Sequence, residues 1–311
     1  MKWPALLERP RPEPNKTIAY GDDQMQKVDL WLPAGAGPHP TVLMVHGGCW
    51  QTEIADRRIM NWIADDLRKR GIAVWNIDYR GVDRTGGGYP GTFADAAAAA
   101  DALRMHAPRH RLDISPLVAV GHSAGGHLAL WLAARGAVSR RPASPLIPRG
   151  SPLFAADPLP IDTVVSLGGL PDLELAATPP GSGCGTEVIE KLVGPPTLSS
   201  RNVYADTSVP RLAPLGVRQV LVNGLQDRII PTAYADDYAA KMRAAGDKVK
   251  VRMIDRTGHV ELIAPETAAW AATVEEIEIA LRRHPGGSRD LGETHRDTSP
   301  RQGPGFRRGD E

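Results

Sequence analysis

Residues 117–132 read LVAVGHSAGGHLALWL, and this stretch decides the fold. Leu117 to Val120 is a short apolar run of the kind that forms a buried strand; it ends at Gly121, and from Ala124 the apolar positions recur at helical spacing. Between them Gly121-His122-Ser123-Ala124-Gly125 matches G-x-S-x-G. Glycines two before and two after the serine permit a strand-to-helix turn too sharp for side chains at those positions. Such a turn lifts the Ser123 hydroxyl out at the carboxyl edge of a sheet. It also aims the first free N–H groups of the helix at whatever the serine attacks, so the nucleophile and half of an oxyanion site share one piece of backbone. An idle serine in a glycine-rich turn is the plain alternative, and the company the motif keeps argues against it.

Thr41 to Val45 is a continuous apolar run, as expected of a strand covered on both faces, and it leads directly into His46-Gly47-Gly48-Cys49-Trp50. Two glycines at the end of a central strand let the backbone approach a ligand and turn its N–H groups outward, which a second oxyanion donor requires. A serine nucleophile also needs a base to take its proton and a carboxylate to orient that base. The order Ser, Asp, His accompanies a strand-elbow-helix serine, and it selects Asp227, past the strand Gln219 to Val222, and His259, past the strand Lys248 to Ile254. Both fall on the sheet edge that carries Ser123. The rival acids are Asp172, Asp206 and Asp255; Asp255 directly ends its strand, and Asp172 follows a different strand and suits a pocket wall. Among other histidines, His46, His122 and His127 flank the oxyanion loop or the elbow, while His106, His110, His284 and His295 lie in polar stretches.

Strand-like and helix-like segments alternate along most of the 311 residues, which predicts one large α/β domain. Residues 1–14 are Pro-rich and charged and are expected to form a loosely held arm. The domain runs over 15–283. It opens with a hairpin, Thr17 to Tyr20 and Lys27 to Leu32, and continues with strands over 72–79 and 161–167 and helices over 57–70, 92–106, 232–245 and 261–283. Lys248 to Ile254 alternates basic and apolar residues, as suits an edge strand guarded by charge. The Gly/Pro-rich segment 168–200 leaves a strand on the serine's side and is the expected lid or pocket wall. The Pro-rich loop 136–160 carries no chemistry, and the Gly-, Pro- and Arg-rich residues 284–311 are expected to be disordered. Trp50, Tyr89, His122 and Leu170 are expected to line an apolar, aromatic pocket, with no Lys or Arg placed to hold a carboxylate.

Four motifs together resemble the α/β-hydrolase fold: GHSAGG around Ser123, HGGCW at 46–50, DYR at 78–80 followed by GYPGTFAD, and Asp227-x-Ile-Ile-Pro231. Within that fold they are most similar to the esterase branch with HGG-type oxyanion loops. This branch includes hormone-sensitive-lipase-like esterases, feruloyl-esterase-like proteins and kynurenine formamidases. The resemblance spans roughly residues 17–283. It implies a mostly parallel central sheet with helices on both faces and a small or absent cap. It also implies a Ser123, Asp227 and His259 triad, with the backbone N–H groups of Ala124, Gly48 and Cys49 as the oxyanion hole. The short lid region departs from lipases that need a large cap. The implied activity is hydrolysis of a small carboxylic ester or aryl amide without metal or cofactor. Arylformamidase is the second reading, and a small-molecule-binding protein without catalysis the third.

Lys+Arg 37 against Asp+Glu 36 leaves a formal charge of +1, so no global field draws the chain to nucleic acid or an anionic membrane. The expected partner is a neutral small molecule. No stretch approaches the ~18 apolar residues of a membrane span, and the first residues lack an apolar core of signal-peptide type. The expectation is therefore a cytoplasmic protein. Cys49 and Cys184 lack metal-type spacing and are too few for a disulfide framework, in keeping with a reducing compartment, while a single bridge between them stays open. A homodimer is compatible with this reading.

Overall fold

The computed structural model describes residues 1–140, 147, 149–198 and 200–282. The elements in chain order are α1 (Trp3–Leu7), β1 (Lys16–Ala19), β2 (Lys27–Trp31), β3 (His39–Val45), α2 (Asn61–Lys69), β4 (Ala73–Ile77), α3 (Gly91–His110), β5 (Leu112–His122), α4 (Ala124–Ser139), β6 (Thr163–Leu167), α5 (Leu173–Ala176), α6 (Thr186–Val193), β7 (Arg218–Gly224), α7 (Ala233–Ala244), β8 (Val249–Ile254) and α8 (Ala268–Arg282). The eight strands form one sheet in the order β1-β2-β4-β3-β5-β6-β7-β8. The pairs β1–β2 and β2–β4 are antiparallel, so β2 alone runs against the other strands. The remaining pairs are parallel.

Strand periodicity explains the layering, because successive side chains of a strand point to opposite faces. Along β3, Leu43 and Val45 join the core under α3, α4 and α7, whereas Val42 and Met44 join the core under α2 and α8. A strand buried on both faces must read as an uninterrupted apolar run, and β3 does. After β3 the chain crosses to β4 on one side and then returns to β5 on the other. The carboxyl ends of β3 and β5 therefore flank the point where the strand order reverses, the place where such sheets open a crevice for a ligand.

The charged edge strand finds its counterpart on α8. Glu276 is fully buried and accepts from Arg218 at 2.5 Å, Lys250 at 2.6 Å and Arg252 at 3.0 Å. Burial alone would raise its pKa, but these three cationic donors outweigh it and hold the carboxyl at about 2, below the ordinary 4.5. A depressed carboxylate pKa contributes stability above about pH 4.5 that is lost as pH falls towards 2. Glu276→Gln is therefore expected to destabilise the protein by roughly 2–3 kcal/mol at pH 7, a figure reduced because the three cations are partly exposed. Urea unfolding at several pH values checks it. The gap between wild type and variant should close below pH 4.5, and a gap independent of pH would refute the account.

Two expectations change. Residues 1–14 are not a loose arm: Leu6 of α1 is fully buried, Arg9 pairs with Glu266 at 2.9 Å, and Pro10 and Pro12 accept from Trp62 and Asn61 at 3.1 and 2.9 Å. The last helix is interrupted, a 3₁₀ turn at Glu261–Ile263 preceding α8, with Pro265 between them. The expected tail at 284–311 lies outside the described residues. Among the described residues no helix is long and apolar enough to cross a membrane.

Candidate active site

Ser123 stands between β5 and α4 at φ 55°, a left-handed conformation that non-glycine residues rarely adopt. The flanking glycines make this turn feasible. A Cβ at Gly121 would collide with the Gly125 carbonyl, and one at Gly125 would collide with the carbonyls of Val45 and His46. The elbow is thus pressed against the end of β3, which brings the loop after β3 beside the serine.

That loop holds positive φ at three successive residues, Gly48 (106°), Cys49 (50°) and Trp50 (52°). Among the described residues no acceptor takes the N–H of Gly48 or Cys49. Ala124 is the first residue of α4, where the helix has no partner for the N–H. The motif at 78–80 supports the loop from below. Asp78 bonds His46 Nε2 at 2.9 Å and accepts from Arg57 at 2.9 Å. The Tyr79 hydroxyl donates to the His46 carbonyl at 2.9 Å, and its ring stacks on the imidazole. Arg80 pairs with Asp95 at 2.7 Å, which secures the start of α3.

His259 Nδ1 lies 2.7 Å from Asp227 Oδ2, and both side chains are almost completely buried. A carboxylate only accepts, so Nδ1 carries a proton, and in the neutral ring the lone pair is left on Nε2. Asp227 Oδ1 accepts from the N–H groups of Ile229 and Ile230 at 2.8 and 2.9 Å, so the carboxylate is fixed from both ends. The rival acids are occupied elsewhere. Asp172 pairs with Lys241 at 2.7 Å and caps α5. Asp206 accepts from the Tyr89 hydroxyl at 2.6 Å, and Asp255 meets Gln226 at the surface.

Ser123, His122, His259, Gly48 and Cys49 line one cavity of about 530 Å³. His122 is buried and its Nε2 donates to the His259 carbonyl at 3.1 Å. Burial, reinforced by the neighbouring His259, pushes its pKa well below the ordinary range and keeps it neutral. The other expected wall residues lie elsewhere. Trp50 is fully buried against His127, because the left-handed turn that exposes the donors directs its side chain into the core. Leu170 is also in the core, and Tyr89 packs on Phe93. The walls come instead from Trp3, Leu7, Ile54, Ile59, Gly183 and Ile229, and the charged Arg11, Arg58, Glu53 and Asp56 also line the cavity. Trp3 approaches His122 and His259 edge-on, at centroid distances of 6.3 and 6.5 Å. The expectation that no Lys or Arg stands where it could hold a carboxylate is therefore corrected by Arg11 and Arg58 in the lining. Arg58 is matched by Asp56 at 2.6 Å, whereas Arg11 lies over the Trp62 ring.

The expected lid segment holds α5 and α6 and is tethered to the loop after β3. Cys184 forms a disulfide with Cys49, their Cα atoms 5.4 Å apart, so these cysteines are not the reduced pair that a reducing compartment suggests.

A family model described as BD-FAE matches residues 28–242. The chain belongs to the BD-FAE family, an esterase family of α/β-hydrolase type. Solved structures agree on the fold. Esterase B from Lactobacillus rhamnosus is 18% identical at a TM-score of 0.69, with 89% of this chain and 88% of that chain covered. Esterase Est2 from Thermogutta terrifontis is 19% identical at 0.64, covering 88% and 95%. A truncated carbohydrate esterase from gut microbiota is 16% identical at 0.64, covering 86% and 96%. No curated protein matches the sequence. Membership in an esterase family makes a carboxylic ester hydrolase the activity class of this BD-FAE chain.

Proposed function

We propose that this BD-FAE protein hydrolyses small, neutral carboxylic esters through an acyl-enzyme on Ser123. The observation that carries this reading is the Asp227-bound Nδ1 of His259, which leaves the other ring nitrogen as an acceptor on a residue that lines the same cavity as Ser123. Ser123 Oγ attacks the ester carbonyl carbon while His259 Nε2 takes its proton. The carbonyl oxygen becomes an oxyanion and accepts from the N–H groups of Ala124, Gly48 and Cys49, which need no rearrangement to meet it. Collapse expels the alcohol, protonated by His259, and water repeats the sequence on the acyl-enzyme. Asp227 orients the ring and stabilises the imidazolium. A protein that only binds would not need a nucleophile held in a strained elbow beside an ordered His–Asp pair.

The cavity walls are chiefly apolar, which favours acyl chains of about two to six carbons or a planar aromatic group. A second reading, arylformamidase, gains from one observation: Arg11 in the cavity lining supplies a cation for the charged end of N-formylkynurenine. A panel of aryl esters, an acetylated sugar, N-formylkynurenine and a long-chain ester tests the ranking. Short aryl esters are expected to lead in kcat/KM by about tenfold or more. A tenfold lead for N-formylkynurenine would promote the formamidase reading instead. The Cys49–Cys184 bridge favours an oxidising compartment over the expected cytoplasmic one, since such bridges persist mainly where thiols are not kept reduced.

A further inference from the structure

The Cys49–Cys184 bridge joins the two sides of the site. Cys49 belongs to the loop after β3, lines the cavity together with Ser123, and holds positive φ without being glycine. Its neighbour Trp50 is anchored in the core, and the Trp50 carbonyl accepts from Val82 at 2.7 Å. Cys49 itself is held through its sulfur. At the other end of the bridge, Gly183 lines the cavity and its N–H donates to the Ile229 carbonyl at 2.7 Å. Ile229 in turn donates its own N–H to Asp227. Gly183 cannot carry a side chain without pressing on the Ile229 backbone, since a Cβ there would lie 3.0 Å from its Cα and its oxygen. One strut therefore runs from the donor loop, through the disulfide and Gly183, to the loop that holds the catalytic acid. α6 secures it, burying Val188, Ile189 and Leu192 in the core.

We propose that Cys184 is a positioning residue for the oxyanion loop, acting through its disulfide to Cys49, and that reduction by a small thiol reversibly lowers the hydrolytic rate of the folded protein. The proposal rests on the serine-hydrolase reading above. The chemistry is thiol–disulfide exchange. A thiolate attacks Cys49 Sγ, the S–S bond breaks, and its electron pair leaves on Cys184 Sγ, which takes a proton from water. A second thiol resolves the mixed disulfide, so the two thiols are oxidised to their own disulfide and both cysteines end as thiols. Without the bridge the left-handed turn at Cys49 loses its side-chain restraint, and its N–H no longer stays where the oxyanion forms. A thiol-rich compartment would then hold the enzyme in its slow state and an oxidising one in its fast state. Cys49 lines the cavity, so a small thiol can reach it.

The experiment uses the full-length protein with dithiothreitol, at a temperature well below unfolding. Iodoacetamide alkylation followed by mass measurement counts thiols, circular dichroism reports folding, and kcat, KM and the rate of fluorophosphonate labelling are measured on the same samples. Reduction is expected to lower kcat for an aryl acetate by about tenfold or more, with KM changing less than about threefold, because the donors act on the transition state. Labelling should slow in parallel, and re-oxidation should restore both. The double variant Cys49→Ser/Cys184→Ser should match the reduced enzyme and ignore the thiol, and it carries the test if the bridge resists reduction. The proposal is overturned by a fully reduced, folded enzyme that keeps its kcat, by a double variant equal to the oxidised wild type, or by two free thiols in the untreated protein. Absence of both hydrolysis and labelling in the oxidised wild type would instead overturn the hydrolase reading, and this proposal with it.

Discussion

Replacing Ser123 by alanine is expected to lower kcat/KM for an activated aryl ester by on the order of 10³-fold or more while leaving the protein folded. The loss should fall almost entirely on kcat, since the substrate still meets Trp3, Leu7, Ile54 and Ile229 in the cavity but has no nucleophile to form the acyl-enzyme. The fold should tolerate the change because the strain at φ 55° belongs to the backbone of the elbow, and alanine removes one hydroxyl without adding volume. Steady-state kinetics with thermal unfolding of both proteins checks this. A variant that keeps more than about a tenth of the wild-type rate would assign the chemistry to another group.

Asp227→Asn is expected to cost on the order of 10³- to 10⁴-fold in kcat, against less than about twofold for Asp255→Asn. The asymmetry follows from what each carboxylate touches. Asp227 accepts from His259 Nδ1 at 2.7 Å, so an amide donor there would favour the tautomer whose Nε2 already carries a proton and cannot accept one from Ser123. Asp255 is exposed, and among the described residues its carboxylate meets Gln226 and Arg256. The rates of the two variants, measured side by side, decide it. The reverse ranking would move the acid to Asp255.

The elements that could be read in the sequence are those whose geometry is local. The elbow at 121–125 announces itself because only glycine fits the close approaches made at Gly121 and Gly125. The strands β3 and β5 and the positions of Asp227 and His259 follow from apolar runs and the sheet edge at which such runs end. The motif at 78–80 carries a family likeness in the sequence, but its purpose lies in the hydrogen bonds that Asp78 and Tyr79 make to His46. The pocket walls are not legible in the sequence because they depend on where a side chain points after a left-handed turn. Trp50 follows the donors in sequence, but its ring lies in the core.

The N-terminal segment did carry a signal. Trp3, Leu6 and Leu7 recur at helical spacing and Pro4 stands in the first turn, yet prolines at 10, 12 and 14 dominate the composition and suggest an unstructured arm. Its docking over the site joins residues far apart in sequence, as where Arg9 meets Glu266, 257 residues on. The disulfide is of the same kind. Its cysteines are 135 residues apart, and spacing alone holds no information about whether two such residues meet.

The central claim is that Ser123 is the nucleophile of an ester hydrolase. The most direct measurement is labelling of the full-length protein with a fluorophosphonate, followed by intact mass and peptide mapping. The account predicts one phosphonyl group per chain, located on Ser123, loss of hydrolysis in proportion to labelling, and no label in Ser123→Ala. An unlabelled but active enzyme, or a label on a different residue that tracks the loss of activity, would contradict it.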